Sequence, residues 1–388
     1  MKNCNTIFGQ LLQIISRYEF EKAVKMHQTD KNSKGFSTWD QFVSLLFGQL
    51  CGYDSLRSIV HGLANHANKL YHLGISIIKR STLAYANSKR SYKVFQSVFN
   101  HLLYKTLKLS HDHKFKFKNP LYSIDATIID LCLSLYDWAK FRKTKGGIKL
   151  HVKLDHSGYI PCFAVVTEAK KHEKNIVKKI PFKSGDVVVF DRGYNDYKDF
   201  VSYCKKNIYF ITRLKKNANY KVVENLDISK YKNILSDQII EFRGFYSKQN
   251  CPVKLRVIKS VDPVTNNTID ILTNQLKWSA KTISLVYKDR WQIEIFFKNM
   301  KQKLKIKSFL GTSETALNSQ IWVALISYLL LCYLKFVSKY GWTIYKLMSV
   351  LPICIFSRRD LWMWLNKPFE KIERNKQSIN KNQMLLNF

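Results

Sequence analysis

Three acidic residues stand in surroundings that suggest chemistry. Asp125 interrupts the apolar run LYSIDATIIDLCL, Asp191 ends the run VVVF, and Glu294 lies among cations in YKDRWQIEIFFKNMKQ. A carboxylate within an apolar strand is costly to bury unless a cation, a hydrogen-bond donor or a metal ion meets it. Taken singly, each is also explained by a turn, a cap or a local ion pair. Their chemistry therefore depends on whether the fold brings the three together.

The stretch around Glu294 has a one-sided charge pattern. On a helix turning about 100° per residue, one arc of about 80° carries Glu294 together with Tyr287, Arg290, Lys298 and Lys301. An adjacent arc is apolar and would seat the helix on a sheet. The simplest explanation is an i,i+4 pair between Arg290 and Glu294, which stabilises by only tenths of a kcal/mol. A stripe of cations around one acid also suits a site where Glu294 holds a divalent metal ion and the cations hold phosphates.

Three carboxylates facing a phosphate-binding surface are what two-metal phosphoryl transfer requires. The expected cofactor is two Mg²⁺ ions, for which Mn²⁺ can substitute, because hard cations prefer oxygen ligands. A zinc or disulfide framework is not expected, since the eight cysteines are scattered without a CxxC and the histidines form no HExxH.

The formal net charge of +36 over 388 residues predicts an anionic partner, of which nucleic acid is the commonest. An anionic membrane surface is the rival. The apolar run IWVALISYLLLCYL, residues 321–334, is shorter than the roughly 20 residues that span a bilayer, so we expect a buried helix and no membrane partner. Because no leader is recognisable, we expect a cytoplasmic location and not secretion.

Helical patterns fill the first 110 residues. Residues 37–52 open with a capping Ser37 and close on Gly52, a second helix follows, and a third, basic helix has Ser81 as its expected cap. This order is compatible with a helix-turn-helix DNA reader, although many bundles share it and bind nothing. The basic segment 109–120 ends in Pro120 and predicts a domain boundary.

Strand patterns follow the boundary. We expect two strands around the turn 156–158, a buried parallel strand ending at Asp191, and a β-rich segment over about 213–275 with a hairpin at 263–267. Ser279 is the expected N-cap of one helix that runs through Glu294. The polar tail after residue 369 is expected to be frayed. These patterns predict an α/β (mixed α+β) fold.

Three blocks of the sequence resemble bacterial DDE transposases of the insertion-sequence-four family. SIDATIID matches the first-Asp block, VVVFDRGYNDY the second, and YKDRWQIEIFFKNMKQ the Y-x2-R-x3-E-x6-K signature. The resemblance implies a ribonuclease-H-like catalytic core interrupted by a β-rich insertion. It divides the chain into a helical DNA-binding domain at 1–110, a catalytic domain at 111–335 and a C-terminal helical segment with a polar tail at 336–388.

The resemblance also implies cut-and-paste transposition. The protein would bind the inverted-repeat ends and the target DNA as a homodimer in a synaptic complex, cleave the ends through hairpins and join them to the target. Asp125, Asp191 and Glu294 would be the catalytic metal ligands. Tyr287, Arg290, Lys298 and Lys301 would bind DNA, and Trp278 would stack on a flipped base. A nucleoid-associated enzyme of the bacterial cytoplasm is expected.

Two other functions remain open: a nuclease of the same fold that only hydrolyses DNA, and an inactive element copy that only binds it. Asp130 and Asp137 follow Asp125 closely but fit the first block less well. Arg192 is expected to pair locally or with a phosphate. Lys149, His151 and His172 could contact DNA, although solvated strand ends are the simpler expectation.

Overall fold

The computed structural model of the protein describes residues 5–132, 134–142, 145–170, 176, 178–262, 266–306 and 308–369. The expected polar tail after residue 369 and His172 lie outside these residues.

The N-terminal part is helical, as predicted. Its helices are α1 (Ile7–Leu12), α2 (Arg17–His27), α3 (Thr38–Cys51), α4 (Leu56–Ala64), α5 (Arg80–Lys89) and α6 (Lys93–Leu107), with a 3₁₀ turn at Ala67–Leu73. Ser37 and Asp40 form a reciprocal capping box at the start of α3, and Gly52 ends it at a left-handed φ of 69°. Ser81 is not a cap, because α5 begins one residue before it and the N-cap position is Lys79.

A ten-stranded sheet forms the centre of the molecule. Its first strands are β1 (Leu121–Leu131), β2 (Lys140–Arg142), β3 (Lys145–Asp155), β4 (Ile160–Glu168), β5 (Val187–Phe190) and β6 (Tyr209–Arg213). β3 is antiparallel to β1 and β4, whereas β1, β5 and β6 are parallel neighbours. The order β4-β3-β1-β5-β6 is the predicted ribonuclease-H-like core, and the parallel strand ending at Asp191 is confirmed.

The β-rich segment extends this same sheet. It contains β7 (Tyr220–Asn225), β8 (Ile234–Phe242), β9 (Leu255–Val261) and β10 (Thr268–Thr273), and β10 pairs with β6 so that the sheet continues β6-β10-β9-β8-β7. The antiparallel β9–β10 pair is the predicted hairpin, although residues 263–265 of its connection are outside the described part. The insertion is therefore bonded edge to edge with the core.

The remaining helices are α7 (Tyr197–Lys205), α8 (Phe245–Asn250), α9 (Ala280–Asp289), α10 (Gln292–Gln302), α11 (Glu314–Val337), α12 (Ile344–Cys354) and α13 (Leu361–Asn366). Ser279 caps α9 as predicted, by accepting from the backbone N–H of Thr282. The single helix expected through Glu294 is wrong, since a turn at 290–291 separates α9 from α10. Hydrogen bonds that reach back only three residues, from Arg290 to Tyr287 and from Trp291 to Lys288, mark this junction.

Helix α11 is the axis of the largest apolar core. It packs against α3, α5 and α6 on one side and against β4 on the other, and the predicted burial of residues 321–334 is confirmed for all but one of them. By length and composition alone α11 could cross a membrane, but 78% of its apolar window is buried inside the protein. A mostly buried helix of this kind is what the core of a folded protein also contains.

Candidate active site

Two of the three carboxylates follow paired strand ends. β1 and β5 are parallel, and Ile124 is in register with Phe190, so Asp125 and Asp191 come next on neighbouring strands about 4.8 Å apart. Alternation along a strand puts both on the face that carries Val189, which is buried beneath α9. The sheet therefore brings the two side chains to one place.

Arg290 connects the third carboxylate to this edge. Its Nη2 donates to Glu294 Oε1 at 2.8 Å, and its Nη1 lies 3.7 Å from Asp125 Oδ2. The guanidinium side chain is only 13% exposed, whereas Asp125 and Glu294 keep 22% and 35% of their side-chain surface. Burial lowers the pKa of Arg290, but Tyr287, Glu294 and Asp125 outweigh it and raise the pKa above its ordinary value. Glu294 thus forms the i,i+4 pair with Arg290 that the helical pattern predicts. The same guanidinium also reaches Asp125.

Tyr287 lies between Arg290 and Asp191. It is 8% exposed and packs in the core beneath α9, with the Arg290 guanidinium carbon 5.9 Å from its ring centre. Burial raises the pKa of Tyr287, and the charge of Asp191 raises it further. Contacts of Arg290 thus connect Asp125, Glu294 and Tyr287, and Asp191 comes next to Asp125 through the paired ends of β1 and β5.

The donor set suits a hard divalent ion. Within the part of the chain that the structure describes, no three His, Cys, Asp or Glu side chains lie close enough together to hold an ion. The Arg290 guanidinium lies between two of the carboxylates, those of Asp125 and Glu294. Three carboxylates, all of them partly exposed, are ligands of the kind that Mg²⁺ and Mn²⁺ prefer, so the chemistry of the residues, though not their present spacing, fits such an ion.

The other residues expected to bind DNA differ in exposure. Lys298 is exposed one turn beyond Glu294, and Lys301 is partly exposed on the last turn of α10. Trp278 is only partly exposed, because its ring stacks on Phe117 with centroids 3.9 Å apart. Arg256 also donates to its carbonyl oxygen at 2.6 Å. The ring of Trp278 is thus engaged inside the protein.

Trp291 is the residue that sequence reasoning missed. It follows Arg290 at the α9–α10 junction and is 58% exposed, which is unusual for so large an apolar ring. The sequence does indicate that this ring is not in the core, because position 291 lies off the apolar arc of the helical pattern.

Of the remaining residues considered from the sequence, some are exposed and others are buried. Asp130 and Arg192 are exposed. The expectation of solvated strand ends is wrong for Lys149 and His151, which are 8% and 1% exposed in the middle of β3. The reason is that both faces of this strand are covered. His151 Nε2 hydrogen-bonds to Thr167 Oγ1 at 3.0 Å.

Comparison with known proteins finds two family models that match the chain. Residues 116–330 match the family model described as a transposase DDE domain, and residues 3–76 match a domain of unknown function, DUF4372. The chain is 32% identical over 284 residues to "Putative transposase y4zB" of Sinorhizobium fredii, covering 72% of this chain and 78% of that protein. It is 26% identical over 220 residues to "Probable transposase for insertion sequence element IS5377" of Geobacillus stearothermophilus, covering 56% and 58%.

A piggyBac transposase solved as a synaptic complex with hairpin DNA is 10% identical, with a TM-score of 0.43 over 95% of this chain and 81% of that one. The family match alone spans more than half of the sequence and contains all three carboxylates. The chain therefore belongs to the DDE transposase family.

Proposed function

We propose that this protein is the transposase of an insertion sequence, which cleaves the ends of its element and joins them to target DNA. The observation that carries the proposal is the Arg290 bridge between Asp125 and Glu294, beside a strand end in register with Asp191. One carboxylate would be enough to pair the buried guanidinium, so charge balance alone does not explain why a strand and a helix each supply one. Phosphoryl transfer on an anionic polymer does explain it.

The proposed roles follow from position. Asp125, Asp191 and Glu294 would hold divalent ions, Mg²⁺ or Mn²⁺. When bound, these would lower the pKa of an attacking water or 3′-hydroxyl and stabilise the leaving oxygen. Arg290 pairs with two of the carboxylates and offsets part of their charge in the protein alone, and its planar guanidinium is suited to a phosphate of the DNA end. Tyr287 fixes the position of Arg290 by packing beneath it.

DNA binding would extend from this site along α10. Lys298 and Lys301 lie one and two turns beyond Glu294, so a strand with its reacting phosphate at the carboxylates would continue past both cations. We keep the division into a DNA-binding helical domain at 1–110, a catalytic domain at 111–335 with its insertion at about 213–275, and a C-terminal segment at 336–388. A homodimer in the synaptic complex, acting on the bacterial nucleoid, completes the proposal.

The test combines one substrate with matched variants. The protein is incubated with DNA carrying an element end, a target plasmid and Mg²⁺ or Mn²⁺. Joined products support transposition, hydrolysis alone supports a nuclease, and a shifted band alone supports an inactive copy. We expect Asp125→Asn, Asp191→Asn and Glu294→Gln each to abolish cleavage and to keep end binding. Asp130→Asn, an exposed change on the same strand, is the control and should cleave normally.

A further inference from the structure

A second polar cluster lies behind the candidate active site, in the protein interior. Ser123 Oγ is 2.7 Å from His156 Nε2, and His156 Nδ1 is 2.8 Å from Asp289 Oδ2. Ser123 and the His156 side chain are fully buried, and the side chain of Asp289 is 4% exposed. A carboxylate facing Nδ1 places the N–H there, and Nε2 shares the second hydrogen bond with the serine hydroxyl. The three residues come from β1, from the β3–β4 turn and from the last residue of α9.

The order Ser–His–Asp could suggest a nucleophile, but the burial argues against it. Ser123 is 0% exposed on the face of the sheet that α9 covers, so a substrate cannot reach its hydroxyl. A function that needs no access to solvent is therefore required, and the neighbours of the cluster indicate which one.

Asp289 occupies a position that helices disfavour for an acid. The C-terminal end of a helix carries partial negative charge, so a carboxylate there is repelled unless cations or donors offset it. Here Lys114 Nζ lies 2.5 Å from Oδ1, and the hydroxyl of Tyr159 donates to Oδ2 at 3.2 Å. Burial raises the pKa of Asp289, but the hydrogen bonds from His156 and Lys114 outweigh it, and the pKa is lowered overall.

The β3–β4 turn is shaped to reach this carboxylate. Tyr159 has a φ of 60°, in the left-handed region that a residue with a large side chain rarely adopts. Its backbone carbonyl accepts from the hydroxyl of Tyr328 in α11 at 3.4 Å. The turn is thus held from α11 on one side and hydrogen-bonded to the end of α9 on the other.

We propose that His156 is a positioning residue for the active site, acting through Ser123 and Asp289; the inference rests on the proposed function. Ser123 lies two residues before Asp125 on the same face of β1, and Asp289 directly precedes Arg290. The hydrogen-bonded chain therefore fixes the distance between the strand that carries one carboxylate and the helix junction that carries Arg290 and Glu294. Without it, Lys114 and Tyr159 still hold Asp289, but the link from Asp289 to β1 through Ser123 is lost.

Two substitutions separate positioning from packing. His156→Phe keeps a ring of similar size and removes both hydrogen bonds, whereas His156→Asn retains a side-chain N–H near the place of Nδ1. The control is Thr273→Val, which deletes two buried hydrogen bonds of the same sheet, to the Phe210 carbonyl at 2.6 Å and from the Gln275 N–H at 3.0 Å, away from the junction.

Hydrogen exchange of the amides at 287–296 gives a readout that needs no catalysis. We expect faster exchange there in His156→Phe, a smaller increase in His156→Asn, which keeps one of the two hydrogen bonds, and unchanged exchange in Thr273→Val. In cleavage assays, His156→Phe should need about 10-fold more Mn²⁺ for half-maximal rate, the size expected when a residue that orients metal ligands is lost. Binding of end DNA should be unchanged in all three variants.

The inference is overturned if His156→Phe exchanges and responds to Mn²⁺ like the wild type, or if Thr273→Val shows the same defects. A wild-type protein that never cleaves end DNA would refute the proposed function instead. In that case exchange at 287–296 still decides whether His156 fixes the junction.

Discussion

The ion pair between Arg256 and Asp237 provides the most quantitative stability prediction. It joins β9 to β8 with Arg256 Nε and Nη2 donating to the two carboxylate oxygens at 2.7 and 2.6 Å, and the two side chains are only 5% and 2% exposed. The remaining nitrogen donates to the carbonyl oxygen of Trp278, just before the cap of α9. The pair therefore fixes the point at which the insertion returns to the helix that leads into the active site.

Replacing Arg256 with Met leaves a buried carboxylate without its cation. Breaking a buried pair from one side costs about 3–5 kcal/mol, a large fraction of the 5–15 kcal/mol that stabilises a typical protein. Asp237→Leu should cost less, because the guanidinium keeps its carbonyl acceptor at Trp278. The double variant should recover most of the loss and stay within about 2 kcal/mol of the wild type, since apolar side chains of similar volume replace both charges.

Urea unfolding followed by circular dichroism measures the free energy of unfolding of all four proteins. The expected coupling between the two positions is about 2 kcal/mol or more. Additive losses in the double variant, or an Arg256→Met loss below about 1 kcal/mol, would refute the account of a fully desolvated pair.

Three further predictions concern single side chains. In a plot of log binding constant for DNA against log salt concentration, Lys298→Ala and Lys301→Ala should each make the slope shallower by about 0.9. An unchanged slope means that no phosphate contact was lost. Burial and the charge of Lys149 lower the pKa of His151 from 6.5 to about 4. As the pH falls, His151 is therefore protonated in the unfolded chain before it is protonated in the folded protein. Stability should fall by about 2–3 kcal/mol between pH 7 and 4.5 in the wild type, and by much less in His151→Phe, as urea midpoints would reveal. Trp291→Ala should weaken end binding by about 1–3 kcal/mol if the ring stacks on a base, and titrations in which Trp291→Phe binds no better than Trp291→Ala would contradict stacking.

The sequence predicted most of what depends on local patterns. Alternation and capping chemistry located β3, β4, β5 and the start of α9 at Ser279, and the interrupted apolar runs pointed to Asp125 and Asp191. Periodicity could not locate the break at 290–291, since an ideal helix assumes a constant turn per residue. Nor could it predict the contact between His156 and Asp289, because 133 residues separate them and only the folded sheet brings them together.

The surroundings of Trp278 and Trp291 also depend on contacts that local sequence patterns do not predict. The family resemblance implies that Trp278 stacks on a base, but its ring packs on Phe117, which comes from the basic segment that predicts only a domain boundary. Trp291 was visible in the helical pattern, yet only the structure shows that its ring remains exposed.

The core around α11 also sets the order in which the protein can mature on the ribosome. The N-terminal helices pack against α11, and the amides of Ile7 and Phe8 donate to the carbonyls of Ser357 and Ile355. At about 5–20 residues per second, the roughly 200 residues between α6 and α11 take about 10–40 s to synthesise. During that interval the apolar faces of α1–α6 lack their partner. If these helices bind the element ends as proposed, a chain that stops before residue 314 leaves their apolar faces without α11, and we expect it to bind those ends more weakly than the full chain.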